Sequence, residues 1–172
     1  MPFSGKTEAV NIARKIKIPV FRMGDMVWDE VKKRGLKLND KNVGTIATHM
    51  RKKHGKNIWA IKIIKKIKSM EKLNKIVIDG VRNIEEVDTF KRELGKNFNV
   101  VAVLSSDKTR HKRALIRNRK DDTKDSKKIV ERDQRELGWG LDNVISFADI
   151  IVINEGSIDE FKSNIEKIFK ML

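Results

Sequence analysis

Ser4-Gly5-Lys6-Thr7, with an amphipathic stretch directly behind it, is the segment on which the fold reading turns. Ala9, Ile12, Ala13 and Ile16 recur at i, i+3, i+4 and i+7, so a helix begins where the loop ends. The tetrapeptide matches the second half of the phosphate-binding pattern G-x-x-x-x-G-K-[ST]. Glycine lets several backbone N–H groups converge on one anion, and the helix N-terminus adds its positive partial charge. In this reading Ser4 and Gly5 shape the ATP loop, Lys6 reaches the β- and γ-phosphates, and the Thr7 hydroxyl holds Mg²⁺. The first glycine of the pattern falls one position before Met1, and the strand that feeds such a loop also falls before it. Taken alone, the four residues read equally as an ordinary turn.

Outward from the loop, short apolar runs alternate with helical patterns. The runs near 18–22, 75–79, 99–104 and 149–153 read as strands, and they lack the polar–apolar alternation of half-exposed ones. Helices are expected from Asp25 to Lys33, from Asn39 or Asp40 to His54, and over 57–68 and 84–94. Further helices are expected from Asp107 to about Lys120, from Ser126 to Leu137, over 143–147, and after Ser157. Apolar strands separated by helices give an α/β fold, a parallel sheet covered on both faces in three layers. The 172 residues fit one domain.

The chain has no cysteine, which excludes disulfides, thiol nucleophiles and thiolate metal sites. No apolar run approaches the roughly 18 residues of a membrane span, and a soluble cytoplasmic protein is the default expectation. Net charge is +15, but it is concentrated. Residues 51–75 hold ten basic residues against one acid, and residues 108–120 hold seven against none. Local positive charge attracts phosphates, on nucleotides or on RNA. For 51–75 a solvated lysine face is an equal alternative. In 108–120 arginine dominates, and its planar fork suits phosphate oxygens.

Asp79 closes the apolar run Ile76-Val77-Ile78, a position that supports Mg²⁺ directly or through water, or serves as a plain turn aspartate before Gly80. Arg82 follows two residues on from Gly80 as a candidate phosphate contact. Asp25 reads first as a helix cap and second as an acceptor contact. Trp139, between two glycines, reads as a core anchor or a lid hinge.

Together these segments resemble nucleoside-monophosphate kinases and dephospho-coenzyme A kinases, and an archaeal group of P-loop proteins related to both. Met23-Gly24-Asp25-Met26 is similar to the Gly-Asp segment opening the acceptor-nucleotide helix. Asp79-Gly80-Val81-Arg82-Asn83 is similar to the segment that places an arginine on the acceptor phosphate. Arg113, Arg117 and Arg119 resemble the lid entrance, and Arg132, Asp133 and Arg135 its return. Ala148 through Ser157 is similar to the last strand and base-side loop of dephospho-coenzyme A kinases. The resemblance implies a P-loop domain with an acceptor-binding helical insertion at 36–70 and a lid at 113–135. It implies Lys6, Arg82, Arg113, Arg117 and Arg119 as catalytic cations, and Asn154 and Gly156 beside the ATP base. Asp25, Arg51 and Arg82 would face the acceptor, with Thr7 and Asp79 at the metal. The expected activity is Mg²⁺·ATP-dependent phosphoryl transfer to a nucleotide or coenzyme acceptor, by a monomer or dimer. An RNA-associated NTPase acting through 51–75 and a nucleotide-binding protein without catalysis are the alternatives. Adenylate kinases carry an arginine where this chain has Trp28, so the resemblance leaves the acceptor unassigned. It also puts the loop-feeding strand in the middle of the sheet, a strand missing from residues 1–172.

Overall fold

The computed structural model describes residues 1–70, 73–95, 97–116 and 126–172. Helix α1 (Lys6–Lys15) leads to strand β1 (Val20–Arg22), helices α2 (Met23–Lys33), α3 (Asp40–His54) and α4 (Ile58–Lys68), and strand β2 (Val77–Asp79). Helix α5 (Ile84–Leu94), strand β3 (Val101–Leu104) and helices α6 (Asp107–Ile116), α7 (Ser126–Gly138) and α8 (Leu141–Ser146) follow. Strand β4 (Ile150–Ile153) and helix α9 (Ile158–Met171) complete the order. This is the expected helix-rich α/β architecture of a P-loop NTPase fold.

The strands form two parallel pairs. β1 lies on β2, with Val20 opposite Val77 and Arg22 opposite Asp79. β3 lies on β4, with Val101 opposite Ile150 and Leu104 opposite Ile153. The strands are shorter than the apolar runs for local reasons. Pro19 has no N–H to donate to the ladder, although its carbonyl accepts from Val77 N (2.9 Å), and the strand starts one residue later. The Val100 N–H donates to the Asp149 carboxylate (2.7 Å) before β3 begins.

Side-chain capping sets three of the helix starts. Asn39 accepts from Asn42 N and Asn83 from Glu86 N (both 2.9 Å), and Ser157 accepts from Glu160 N (3.2 Å). One start differs from expectation. α2 begins at Met23 straight out of β1, so Asp25 is inside its first turn and pairs with Arg22 (3.2 Å) instead of capping. The strand at 150–153, expected to be buried, is exposed at Ile151 and Ile153. Val152 turns into the cluster that α1 and α9 make through Ile12, Phe161 and Ile165, with the half-buried Ile150 packed against it.

The largest core lies under α2, α3 and α4, around the buried indole of Trp59, with Phe21, Val31, Met50, Ile63 and Phe90. A smaller core joins α5 and α8 to Val100 through Val87, Leu141 and Val144. The carboxyl ends of β1 and β2 and the Ser4–Thr7 loop open between these cores. This is where an α/β sheet places its ligands.

Candidate functional site

A cleft of about 430 Å³ opens at this edge. Gly5, Lys6 and Thr7 form one wall, Asp79, Gly80 and Arg82 the floor, and Trp28, Gly44 and Trp139 the far wall. Seven cationic side chains line it against four carboxylates.

Gly5 has φ +115°, and a Cβ there would lie 2.2 Å from the Asn154 amide nitrogen, so only glycine fits. Asn154 is buried and donates through Nδ2 to the Ser4 carbonyl (2.9 Å). Arg113 extends the same tie. Its Nη1 donates to Ser105 Oγ (2.9 Å) and reaches the Ser4 carbonyl (3.4 Å), and its Nη2 reaches the Asn154 carbonyl (3.2 Å). These bonds lash the loop to the ends of β3 and β4.

The Lys6 ammonium is turned back and donates to the Met1 carbonyl. Burial, and then the neighbouring Arg82, lowers its pKa to about 8. Glu136 on α7 is buried beneath it, with one oxygen 2.7 Å from Arg82 Nε and the other 3.4 Å from Arg132 Nε. Burial alone would raise the Glu136 carboxyl, but Arg82, Arg132 and Lys6 outweigh it and hold the pKa at about 2. Two arginines therefore pair with one carboxylate at the cleft floor, and the Lys6 ammonium adds its charge through space.

Two further pairs border the cleft. Arg51 and Glu86 are both buried and meet at 2.9 Å. Burial lowers the Arg51 pKa and raises that of Glu86, each opposed by the partner's charge. The Arg51 guanidinium lies 4.4 Å from the Trp139 ring centre, and its Nε and Nη1 make no hydrogen bond among the described residues. Arg135 on α7 bonds Asp40 on α3 (2.7 Å), which also lies 3.7 Å from Arg132. A Cβ on Gly44 would stand 2.7 Å from Arg135, so this mid-helix glycine lets the guanidinium cross α3.

The cleft thus gathers Gly5, Lys6, Thr7, Asp79, Arg82, Arg113, Arg51 and Asn154 from the expected set. Asp79 is held by Arg22 (3.5 Å). Ser4, Asp25 and Gly156 are not among the lining residues. Gly156 sits in the turn before α9, where a Cβ would meet the Glu160 carboxylate. Arg117 and Arg119 lie outside the described residues. Trp139 is half-buried in the cleft wall, its indole N–H donating to Thr48 Oγ1 (3.1 Å), so it is not a sealed core anchor. Glu136, Glu86 and Asp40 were not anticipated. The run Arg132-Asp133-Gln134-Arg135-Glu136 carried a signal for the first, since positions 132, 135 and 136 share one helix face.

The residues present fit a polyphosphate with its Mg²⁺. Cations exceed carboxylates, Ser4 Oγ is buried without a hydrogen-bond partner among the described residues, and Asp79 offers a carboxylate near Thr7. Mg²⁺ needs only one or two protein carboxylates when phosphates supply the rest.

Comparison with known proteins gives the chain's relatives. A family model described as an AAA domain matches residues 1–130. A UPF0200 protein of Methanococcus maripaludis (strain C6) is 42% identical over 171 residues, covering 99% of this chain and 92% of its own length. A UPF0200 protein of Methanosarcina barkeri is 38% identical, covering 98% of this chain and 90% of its own length. One of Thermoplasma volcanium is 40% identical, covering 98% and 92%. No helix of the described residues is long and apolar enough to cross a membrane.

Proposed function

We propose that this chain, which belongs to the archaeal UPF0200 family and carries a kinase-like P-loop nucleotide-binding domain, is a small-molecule kinase that moves the ATP γ-phosphoryl to a nucleotide or coenzyme acceptor. The observation that carries this reading is the convergence of Lys6, Arg82 and Arg132 on Glu136, on the floor of a cleft with walls of different kinds. One wall is a glycine loop at a helix N-terminus, built for phosphate. The other presents Trp28 and Trp139, flat surfaces for an aromatic acceptor.

Bound Mg²⁺·ATP supplies the phosphoryl group and part of the charge neutralisation; the protein's own part is positioning and electrostatics. Lys6 turns from the Met1 carbonyl to the β- and γ-phosphates. Thr7 and Asp79 hold the metal, and Asn154 and Gly156 border the donor base. Arg82 and Arg132 exchange Glu136 for phosphate oxygens. Arg113 keeps the loop fixed against β3 and β4, and Arg117 and Arg119 are assigned as further catalytic cations. Arg51 and Asp25 belong to the acceptor side, with Arg51 oriented by Glu86.

The test is ADP release from Mg²⁺·ATP with each nucleoside monophosphate, dephospho-coenzyme A, structured RNA, or no acceptor. The expected result is turnover stimulated by one small acceptor and abolished by Lys6→Ala. Stimulation by RNA alone would replace this reading with an RNA-dependent NTPase. That second reading is favoured by the exposed lysines 52, 53, 65 and 66 on α3 and α4. ATP binding without turnover under every condition would leave a nucleotide-binding protein.

A further inference from the structure

The β3–β4 pair is covered unevenly, and the bare part is its outer strand. Ile151 and Ile153 stand opposite Ala102 and Leu104 in the ladder, so the four share one face of the pair. Ala102 is buried and Leu104 half-buried, whereas Ile151 is 55% and Ile153 69% exposed. The other face of β4 is already taken, since Val152 packs on Ile12, Phe161 and Ile165. The outer edge is open too. Among the described residues β4 pairs with β3 alone. Ile150 N donates to Val100 O (3.1 Å), and Asn154 N donates to Leu104 O (2.7 Å). Alternate residues of a parallel strand address opposite neighbours, so Ile151 and Ile153 turn their N–H and C=O groups away from β3.

Open edges are commonly blunted by lysine or proline. β4 has neither, in a chain with 39 lysines and arginines. Its surroundings have the opposite sign to the chain as a whole, which carries +15. Residues 139–161 hold five carboxylates, on Asp142, Asp149, Glu155, Asp159 and Glu160, and no lysine or arginine. All five residues are exposed, and none makes an ion pair among the described residues. Asp149 directly precedes β4 and Glu155 follows it by two residues, so an acid stands at each end of the edge. A second copy of the chain fits this edge badly. Two-fold pairing of one β4 with another would set the same five carboxylates against each other.

We propose that the β4 edge is a strand-addition site for an extended cationic segment of a partner protein, apolar at alternate positions and carrying lysine or arginine at both ends. The segment's backbone pairs with Ile151 and Ile153, and its apolar row lies beside their side chains. Its terminal cations meet Asp149 and Glu155. These acids are six positions apart, about 20 Å of strand at roughly 3.3 Å per residue, which sets the spacing of the cations. Main-chain bonds supply the affinity, and the end charges select the partner and speed its approach. Neither Ile151 nor Ile153 lines the phosphate-loop cleft, so the assignment does not depend on the kinase reading.

The test uses the 172-residue chain and a peptide of alternating threonine and valine with two lysines at each end. The expected result is amide exchange at Ile151 and Ile153 slowed by about 10-fold or more at saturating peptide, with no comparable change at Ile78 on β2. Glutamate in place of the lysines, or glycine and serine in place of the central residues, should weaken binding by about 10-fold or more. Ile151→Lys combined with Ile153→Lys should do the same, and the exposure of both positions lets the fold tolerate them. Asp142→Asn combined with Asp159→Asn leaves the strand untouched, and it should weaken binding by about 3-fold and flatten its salt dependence. Unchanged exchange at Ile151 and Ile153, or equal binding of the glutamate or the glycine–serine peptide, would overturn the proposal. So would protection of these two amides that grows with protein concentration in the absence of peptide, which would give the edge to a second copy.

Discussion

Two clusters of charge border the same cleft, and they differ in balance. Arg51 and Glu86 are one cation and one anion, both buried, closed over by Trp139. Lys6, Arg82 and Arg132 are three cations around one anion, Glu136. Two like charges about 4 Å apart repel by roughly 4 kcal/mol at an effective dielectric constant of 20. The balanced pair therefore gains nothing from another anion, whereas the unbalanced cluster stores repulsion that an incoming phosphate relieves. The contrast separates a balanced pair, in which Glu86 fixes the wall and holds Arg51 toward the acceptor side, from an unbalanced cluster that takes up an anion.

The largest expected effect lies in the balanced pair. Glu86→Ala leaves the Arg51 guanidinium buried and unpaired, which costs about 3–5 kcal/mol. At 172 residues that is a fall in thermal midpoint of roughly 6–20 °C. Added pyrophosphate should not restore it beyond the shift it gives the unaltered chain. A fall below about 1 kcal/mol would show that the pair does not hold the wall.

Glu136→Gln should behave oppositely. In anion-free buffer it should destabilise by about 2–3 kcal/mol, since three cations lose their counter-charge. Pyrophosphate should then restore stability and bind more tightly than to the unaltered chain, because no carboxylate competes for Arg82 and Arg132. The pH dependence gives the sign. Glu136 has a depressed folded-state pKa of about 2, so its contribution is present above the usual 4.5 and is lost as pH falls toward 2. The variant should lose that part of the acid dependence. Weaker pyrophosphate binding by Glu136→Gln would place this carboxylate on the side of the wall.

The comparison also shows what the sequence could carry. The Gly5-Lys6-Thr7 loop, the β-branched runs and the caps at Asn39 and Ser157 were legible because each is local: a spacing or a side chain bonding its own backbone. Asp25 was misjudged as a cap because β1 passes into α2 without a break, leaving no turn for a cap to close. The exposed face of β4 was illegible for another reason, since burial depends on which helices cover a strand. Glu86, Glu136 and Asp40 meet partners 35, 54 and 95 residues away, in Arg51, Arg82 and Arg135. Such pairings exist only once the helices have been placed.

A smaller effect sharpens the binding side of the contrast. Lys6 has its pKa lowered to about 8 in the fold, so burying its charged form costs stability at neutral pH, and the cost disappears as pH rises from 8 toward 10.5. Phosphates restore the ammonium. Between about pH 8 and 10.5, ATP binding should therefore take up a proton, seen by calorimetry as a heat that varies with the buffer's ionisation enthalpy. Lys6→Met should be more stable at pH 7 and take up none. Buffer-independent heats in the unaltered chain would mean that Lys6 stays on the Met1 carbonyl when nucleotide binds.

The smallest effect tests how α7 is held on α3, because Arg132, Arg135 and Glu136 reach the cleft only while α7 lies there. Alanine in place of a mid-helix glycine ordinarily stabilises by up to about 1 kcal/mol. At Gly44 the new methyl would stand 2.7 Å from the Arg135 guanidinium, so Arg135 must move off Asp40. The end of a flexible side chain can move, and a partly exposed ion pair is worth about 0–1 kcal/mol. The two terms nearly cancel, and Gly44→Ala alone should shift the thermal midpoint by no more than about 2 °C. In an Arg135→Ala background nothing lies over Gly44, and the same substitution should recover the full helix gain of about 1 kcal/mol. The difference between the two backgrounds is the measurement. Equal gains in both would show that Arg135 does not cross α3 at Gly44, and the three α7 side chains would then need another support to stand in the cleft.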